Sequence, residues 1–183
     1  TGKRVTTNDY GSADYYYVNK SSLPKVYGGF NTSLSWKGFD LSAIFAYSIG
    51  GYIYNRDITM ILHNGSLEGR DWSTEILRRW TPDNRYTDVP ALSTTSNNWN
   101  SASTRFLQNN SYMRLKNLTL SYNLPKQWIS KLSLSSVQVY VQGDNLFTIH
   151  RNQGLDPEQG ITGITYYRYP AMRTISGGIN ISF

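Results

Sequence analysis

Polar and apolar residues alternate with a period of two in five stretches of this chain, the signature of β-strands with one greasy and one wet face. In the first, 26–36, Phe30, Thr32, Leu34 and Trp36 oppose Asn31, Ser33 and Ser35. Lys37-Gly38 supplies a tight reversal. The next run sets Phe39, Leu41, Ala43, Phe45 and Tyr47 against Asp40, Ser42, Ala46 and Ser48, with Ile44 the one mismatch, so the two runs predict a hairpin. The third, 111–124, sets Leu118, Leu120 and Tyr122 against Asn117, Thr119 and Ser121 and ends at Pro125. The fourth, 137–149, opposes Val137, Val139 and Val141 to Gln138, Tyr140, Gln142 and Asp144. The fifth, 171–183, opposes Ile175, Gly177, Ile179, Ile181 and Phe183 to Thr174, Ser176, Gly178, Asn180 and Ser182.

The connections differ sharply in length. Residues 1–25, with the Tyr15-Tyr16-Tyr17 cluster and Pro24, predict loop. Residues 50–110 break the strand rhythm; there Asp71 can cap a helical segment with Trp72, Ile76 and Trp80 at four-residue spacing, closed by Thr81-Pro82, and 93–103 reads as polar loop. Residues 125–136 form a moderate turn with one helical turn near Trp128, and 150–170 form a polar, Tyr-bearing loop.

Half-apolar strands fit either a soluble sandwich or a membrane barrel with one lipid face. Loop lengths separate the two: short, long, moderate, long is the alternation of outer-membrane barrels, whose periplasmic turns are short and extracellular loops long. On that reading 1–25 is an extracellular loop segment and 26–183 carries barrel strands, with extracellular loops at about 50–110 and 150–170. The wet face, rich in Ser, Thr, Asn, Gln and Gly, suits a lumen. Trp36, Tyr47, Tyr112 and Tyr122 near strand ends match interfacial aromatic girdles, although each taken singly reads better as an ordinary sheet aromatic that fits a pleated surface. The expected fold is an all-β, antiparallel transmembrane β-barrel segment. Five strands cannot close a single-chain bacterial barrel, where even counts of about 8 or more are the rule, so the chain is expected to be incomplete. Its start, Thr1-Gly2-Lys3-Arg4, lacks both Met and an apolar signal segment, so the chain is expected to begin inside a processed or longer protein, or to lack a targeting signal.

Composition sharpens this picture. Of 183 residues, 39% are hydrophobic, a share that includes 15 Tyr, and only 16% are charged, so Ser, Thr, Asn, Gln and Gly fill most of the remainder, which disfavours a helical bundle. Aromatics at 14% disfavour disorder. With no cysteine there is no disulfide framework and no thiolate metal site. The net charge of +6 comes from scattered Lys and Arg in runs of two at most, without the stripe that nucleic acid requires, so no nucleic-acid partner is expected.

Candidate chemistry is sparse. His63 and His150 lack a second His at metal spacing and read as surface histidines, so no metal is expected. Asp156 and Glu158 flank Pro157, but a polar loop does not shift a carboxylate for acid–base work, and a turn motif explains them better. There is no Gly-x-Ser-x-Gly elbow and no phosphate loop; Gly28-Gly29, Gly50-Gly51 and Gly177-Gly178 fall on or beside strands. The Asn-x-Ser/Thr matches at Asn31, Asn117 and Asn180 fall inside strands and arise by chance in an Asn/Ser/Thr-rich chain. Trp72, Trp80, Trp99, Tyr166 and Tyr167 sit in the outer loops, where aromatics stack on sugar rings or pack against a lid. The Ile179, Ile181 and Phe183 terminus reads as a barrel-assembly signal, or as a lipid-facing last strand, or both.

Several blocks in order resemble one family. Pro24-Lys25-Val26-Tyr27-Gly28-Gly29-Phe30, Trp36-Lys37-Gly38-Phe39-Asp40-Leu41-Ser42, Arg79-Trp80-Thr81-Pro82, the run from Ser111-Tyr112-Met113-Arg114 to Tyr122, Val139-Tyr140-Val141-Gln142-Gly143-Asp144-Asn145-Leu146-Phe147, Gly154-Leu155-Asp156-Pro157-Glu158 and Tyr169-Pro170 to Phe183 are similar to the carboxyl-terminal barrel strands of SusC/RagA-type TonB-dependent outer-membrane transporters. The likeness spans roughly 22–183. It implies a 22-stranded barrel plugged by an amino-terminal domain absent from this chain, in the bacterial outer membrane. It also implies a SusD-like surface lipoprotein, energy from TonB through the plug, membrane lipid around the wall, and oligosaccharide or peptide cargo. Such a protein binds and passes its cargo without covalent chemistry, so neither enzymatic activity nor a cofactor is expected. The alternative is a soluble or secreted β-sandwich that binds carbohydrate through loop aromatics; a hydrolase ranks third.

Overall fold

The computed structural model describes residues 9–183 except 66, 94, 96, 97, 133, 155 and 159. Residues 1–8 of the expected loop, parts of 93–103 and Leu155 of the Gly-Leu-Asp-Pro-Glu block lie outside the described residues.

Among the described residues, eight strands form two sheets. β1 (Pro24–Trp36), β2 (Phe39–Gly50), β5 (Tyr112–Asn123), β6 (Ser136–His150) and β8 (Thr174–Ser182) make a five-stranded sheet in the order β1-β2-β5-β6-β8, antiparallel at every pairing. Strand lengths of 13, 12, 12, 15 and 9 residues meet the ~9–11 that a tilted strand needs to cross a bilayer. Among the described residues, no helix is long and apolar enough to cross a membrane. The β1–β2 reversal places Lys37 at φ 47° and Gly38 at φ 88°, the left-handed pair of a two-residue hairpin turn. Glycine at 38 avoids the penalty a side chain incurs there.

Register puts the alternation on two continuous faces. Trp36 pairs with Phe39, Phe39 with Tyr122, Tyr122 with Val139 and Val139 with Ile179. Further rows on the same face are Leu34–Leu41–Leu120–Val141–Gly177, Thr32–Ala43–Leu118–Gly143–Ile175 and Phe30–Phe45–Leu115–Phe147, with the Phe30 and Phe45 rings stacked at 4.7 Å. Nothing described packs on this apolar face: Leu34 is 67% exposed, Phe147 59% and Ile179 62%, and Ala43 is the one buried hydrophobic side chain of the sheet among the described residues.

Single-residue bulges reset the faces. Lys116 is skipped between Leu115 and Asn117 in both of β5's pairings, which brings Leu115 and Met113 onto the apolar face and sends Arg114 and Tyr112 to the polar one. Tyr112 therefore leaves the expected apolar girdle, while Trp36, Tyr47 and Tyr122 keep to it. Ile44 stands on the polar face, opposite Asn31 and Asn117.

The two long connections fold together. β3 (Tyr52–Asn55) pairs antiparallel with β4 (Leu107–Asn109) and parallel with β7 (Ile164–Thr165), so the excursions after β2 and β6 share one small sheet. A short helix, α1 (Arg56–Ile61), follows β3, with Asn55 Oδ1 accepting from Ile58 N at 3.1 Å as its cap. The expected helix near Trp72 is a 3-10 turn, Thr74–Arg78, capped by Ser73 rather than Asp71. The helical turn after β5 is α2 (Lys126–Ile129). The core sits in the first excursion, where buried Leu62, Ile76 and Val89 pack with Ile58 and Trp99.

Candidate transport surface

The polar face is a wall of mutually satisfied side chains. One hydrogen-bonded row crosses all five strands: Ser35 Oγ donates to Asp40 Oδ1 (2.5 Å), Asn123 Nδ2 to Asp40 Oδ2 (2.6 Å), Gln138 Nε2 to Asn123 Oδ1 (3.2 Å) and Asn180 Nδ2 to Gln138 Oε1 (3.2 Å). Nearer the middle of the sheet, Thr119 Oγ1 donates to Asn117 Oδ1 (2.9 Å) and Asn117 Nδ2 to Asp144 Oδ1 (2.8 Å). Gly178 makes room here: a Cβ would lie 2.7 Å from Tyr140 Oη. Amides, hydroxyls and carboxylates of this kind can bind water and polar solute.

At the long-loop end of the wall the second excursion is latched down by ions. Arg114, whose side chain is 4% exposed, donates from Nη2 to Asp156 Oδ1 (2.6 Å), from Nη1 to Glu158 Oε2 (2.8 Å) and from Nε to Thr148 Oγ1 (3.0 Å). Lys116, the bulged residue of β5, adds Nζ to Glu158 Oε2 at 2.5 Å. Asp156 also accepts the backbone N–H groups of Ala171 (2.6 Å) and Glu158 (2.9 Å). Burial opposes ionisation of Asp156, but those amides and the guanidinium outweigh it and hold its carboxyl below the ordinary aspartate value. Asn110 Nδ2 donates to Pro157 O (2.9 Å) and Asn152 Nδ2 to Asn110 Oδ1 (2.9 Å), stitching the same loop to the first excursion. The carboxylates expected to make a simple turn thus anchor a loop on a buried arginine. Beside the latch lies a cavity of about 520 Å³ whose wall includes Thr148, His150, Arg168 and Arg173.

The outer-loop aromatics part company. Trp99 belongs to the core of the first excursion: its Nε1 donates to Leu62 O (2.5 Å) and Arg105 lies 3.3 Å above its ring. Trp80 is half-exposed and is tied by its backbone N–H to Val89 O (2.8 Å). The Tyr166 and Tyr167 rings pack at a tilt of 46° with centroids 4.2 Å apart, and Arg56 lies over Tyr166. Tyr167 accepts from Arg70 Nη1 (3.3 Å), and Trp72 and Tyr167 line two neighbouring cavities that share Gly69 and Arg70. Of the five, Trp72 and Tyr167 are therefore the pair gathered around one segment. His63 is not a surface residue. It is 1% exposed, and its Nδ1 accepts from Trp72 Nε1 (3.1 Å) and Gly65 N (3.3 Å). His150 is exposed, with Nδ1 beside Asn152 Oδ1 (2.6 Å). Ile179 and Ile181 lie on the outer strand β8, and Phe183 follows it, 91% exposed.

No protein-family model matches the chain. It is 34% identical over 166 residues to TonB-dependent receptor P3 of Formosa agariphila, covering 85% of this chain and 16% of that receptor. It is 27% identical over 168 residues to TonB-dependent receptor SusC of Bacteroides thetaiotaomicron, covering 91% and 16%. A solved structure of the RagAB peptide importer in its "closed-closed" state matches all of this chain and 20% of its own with 36% identity and a TM-score of 0.84. The chain thus spans about one sixth of the curated relatives it matches. With a shared backbone and about a third of its residues in common, the chain matches a segment of the SusC/RagA-type TonB-dependent receptors.

Proposed function

We propose that this chain forms part of the wall of an outer-membrane importer. Its apolar face lies against lipid, its polar face lines the passage, and its two long connections stand on the extracellular side. The observation that carries this reading is the uncovered apolar face, continuous across five strands, backed by a hydrogen-bonded polar face. A soluble sandwich needs a second layer on those apolar residues, and none of the described residues supplies one. In lipid each unpaired backbone group costs several kcal/mol, so β1 and β8 require neighbouring strands, as in a 22-stranded closed barrel.

The cargo is an oligosaccharide or a peptide, energised by TonB through a plug and enclosed by a SusD-like lipoprotein over the extracellular loops. Trp72 and Tyr167 contact cargo or lid, Tyr166 supports Tyr167, and Trp80 and Trp99 shape the loops. Ile179, Ile181 and Phe183 serve as the assembly signal. Uptake of fluorescent oligosaccharides and peptides by cells with and without the full-length receptor tests the reading. It predicts receptor-dependent, TonB-dependent accumulation of one class. A receptor that inserts in the outer membrane while accumulation of both classes stays at the receptor-free level contradicts it.

A further inference from the structure

The end of the sheet that carries the long connections has a second feature, on the apolar side. A cavity of about 630 Å³ opens where β1, β2, β5 and β6 meet the loops. Its strand-borne wall includes Ile49, Met113 and Ile149, all on the apolar face by register and all more than a third exposed. Ser48, Tyr112 and His150 of the polar face also line it, so the cavity straddles the end of the sheet, and its deepest strand-borne residues, Met113 and Ile149, are on the apolar face. Its rim carries Lys20, Lys25 and Arg151 and no carboxylate. None of these three cations forms a salt bridge with a described residue. Lys20 is held in place by Tyr52, with its Nζ 4.6 Å from the ring centroid. Three cations directly above a greasy wall match an anionic amphiphile: the headgroup phosphate meets the ammonium and guanidinium groups while the acyl chains lie along Ile49, Met113 and Ile149.

We propose that this rim is a binding site for a phosphorylated lipid of the outer leaflet, of the lipid A class. The inference rests on the barrel reading, because only a sheet in a membrane presents this face to lipid. A basic residue near an anionic surface is worth about fivefold in affinity, so neutralising all three weakens retention by roughly 100-fold.

The test uses the full-length receptor, purified in detergent, delipidated and titrated with diphosphoryl lipid A, with dephosphorylated lipid A, and with inorganic phosphate as competitor. Native mass spectrometry reads the retained lipid. The expected result is retention of diphosphoryl lipid A that is lost in K20Q/K25Q/R151Q and kept in K20R/K25R/R151K, with the dephosphorylated lipid binding far more weakly. Equal retention of the dephosphorylated lipid, unaltered retention by the neutralised variant, or displacement by equimolar inorganic phosphate overturns the proposal. Heat-modifiable migration of each variant reports whether its barrel is intact. If the wild-type receptor does not insert into outer membranes at all, the barrel reading has failed; if it inserts and imports without lipid preference, only this inference has.

Discussion

Replacing Arg114 with leucine removes the centre of the latch while keeping an aliphatic side chain on the wall. The substitution strands Asp156, whose side chain is 7% exposed, and takes one of two cationic partners from Glu158. Breaking a buried ion pair costs about 3–5 kcal/mol because the surviving charge is left unpaired. The lower end applies, since Asp156 keeps two backbone N–H donors and Glu158, 40% exposed, keeps Lys116. A loss of about 3 kcal/mol raises the open population of the loop roughly 100-fold. Hydrogen–deuterium exchange on the full-length receptor measures this through peptides covering residues 154–173, where the Ala171 and Glu158 amides are bonded to Asp156 in the closed state. Peptides from β5 and β6 serve as the internal reference. Exchange in 154–173 that stays within about twofold of the unmodified receptor, with the barrel intact, refutes the latch.

The latch also marks where sequence reasoning stops. Period-two alternation located the five long strands to within about three residues, because a sheet with one apolar face cannot slip register without exposing it to water. The faces of β5 above Asn117 escaped the same logic. One bulged residue, Lys116, reverses parity, so Tyr112 and Arg114 point opposite to a straight reading. The partners of Arg114 lie 42 and 44 residues away, a separation that no local pattern encodes. His63 looked like a loop histidine because its burial depends on Trp72 folding back over it. The six-residue α1 depends on its Asn55 cap and its packing near the loop core, and is too short to show a helical period.

Three further outcomes follow from the same structure. Asp156 has a depressed folded value, so its contribution is present above the ordinary aspartate value near 3.8 and disappears as pH falls through the lowered one; loop protection factors, corrected for intrinsic exchange, are the same at pH 5 as at pH 7 and fall only in stronger acid. Trp99→Ala removes the bond to Leu62 O and opens the Leu62–Ile76–Val89 core, costing about 3–5 kcal/mol; limited proteolysis between 60 and 105 detects it while the barrel stays heat-modifiable. Gly38→Ala forces a side chain to φ 88° with its Cβ 3.1 Å from Asn123 O, a cost of about 1–2 kcal/mol that lowers the denaturant midpoint of the full-length barrel.

The central claim is that one face of the five-stranded sheet meets hydrocarbon and the other an aqueous passage. Single spin labels at 41, 120 and 141, against labels at 42, 119 and 142, in the full-length receptor reconstituted in bilayers test it by relaxation with oxygen and with a water-soluble nickel chelate. The account predicts strict alternation, with oxygen reaching the first set and nickel the second. Equal nickel access on both faces, or a first set shielded from both reagents, contradicts it.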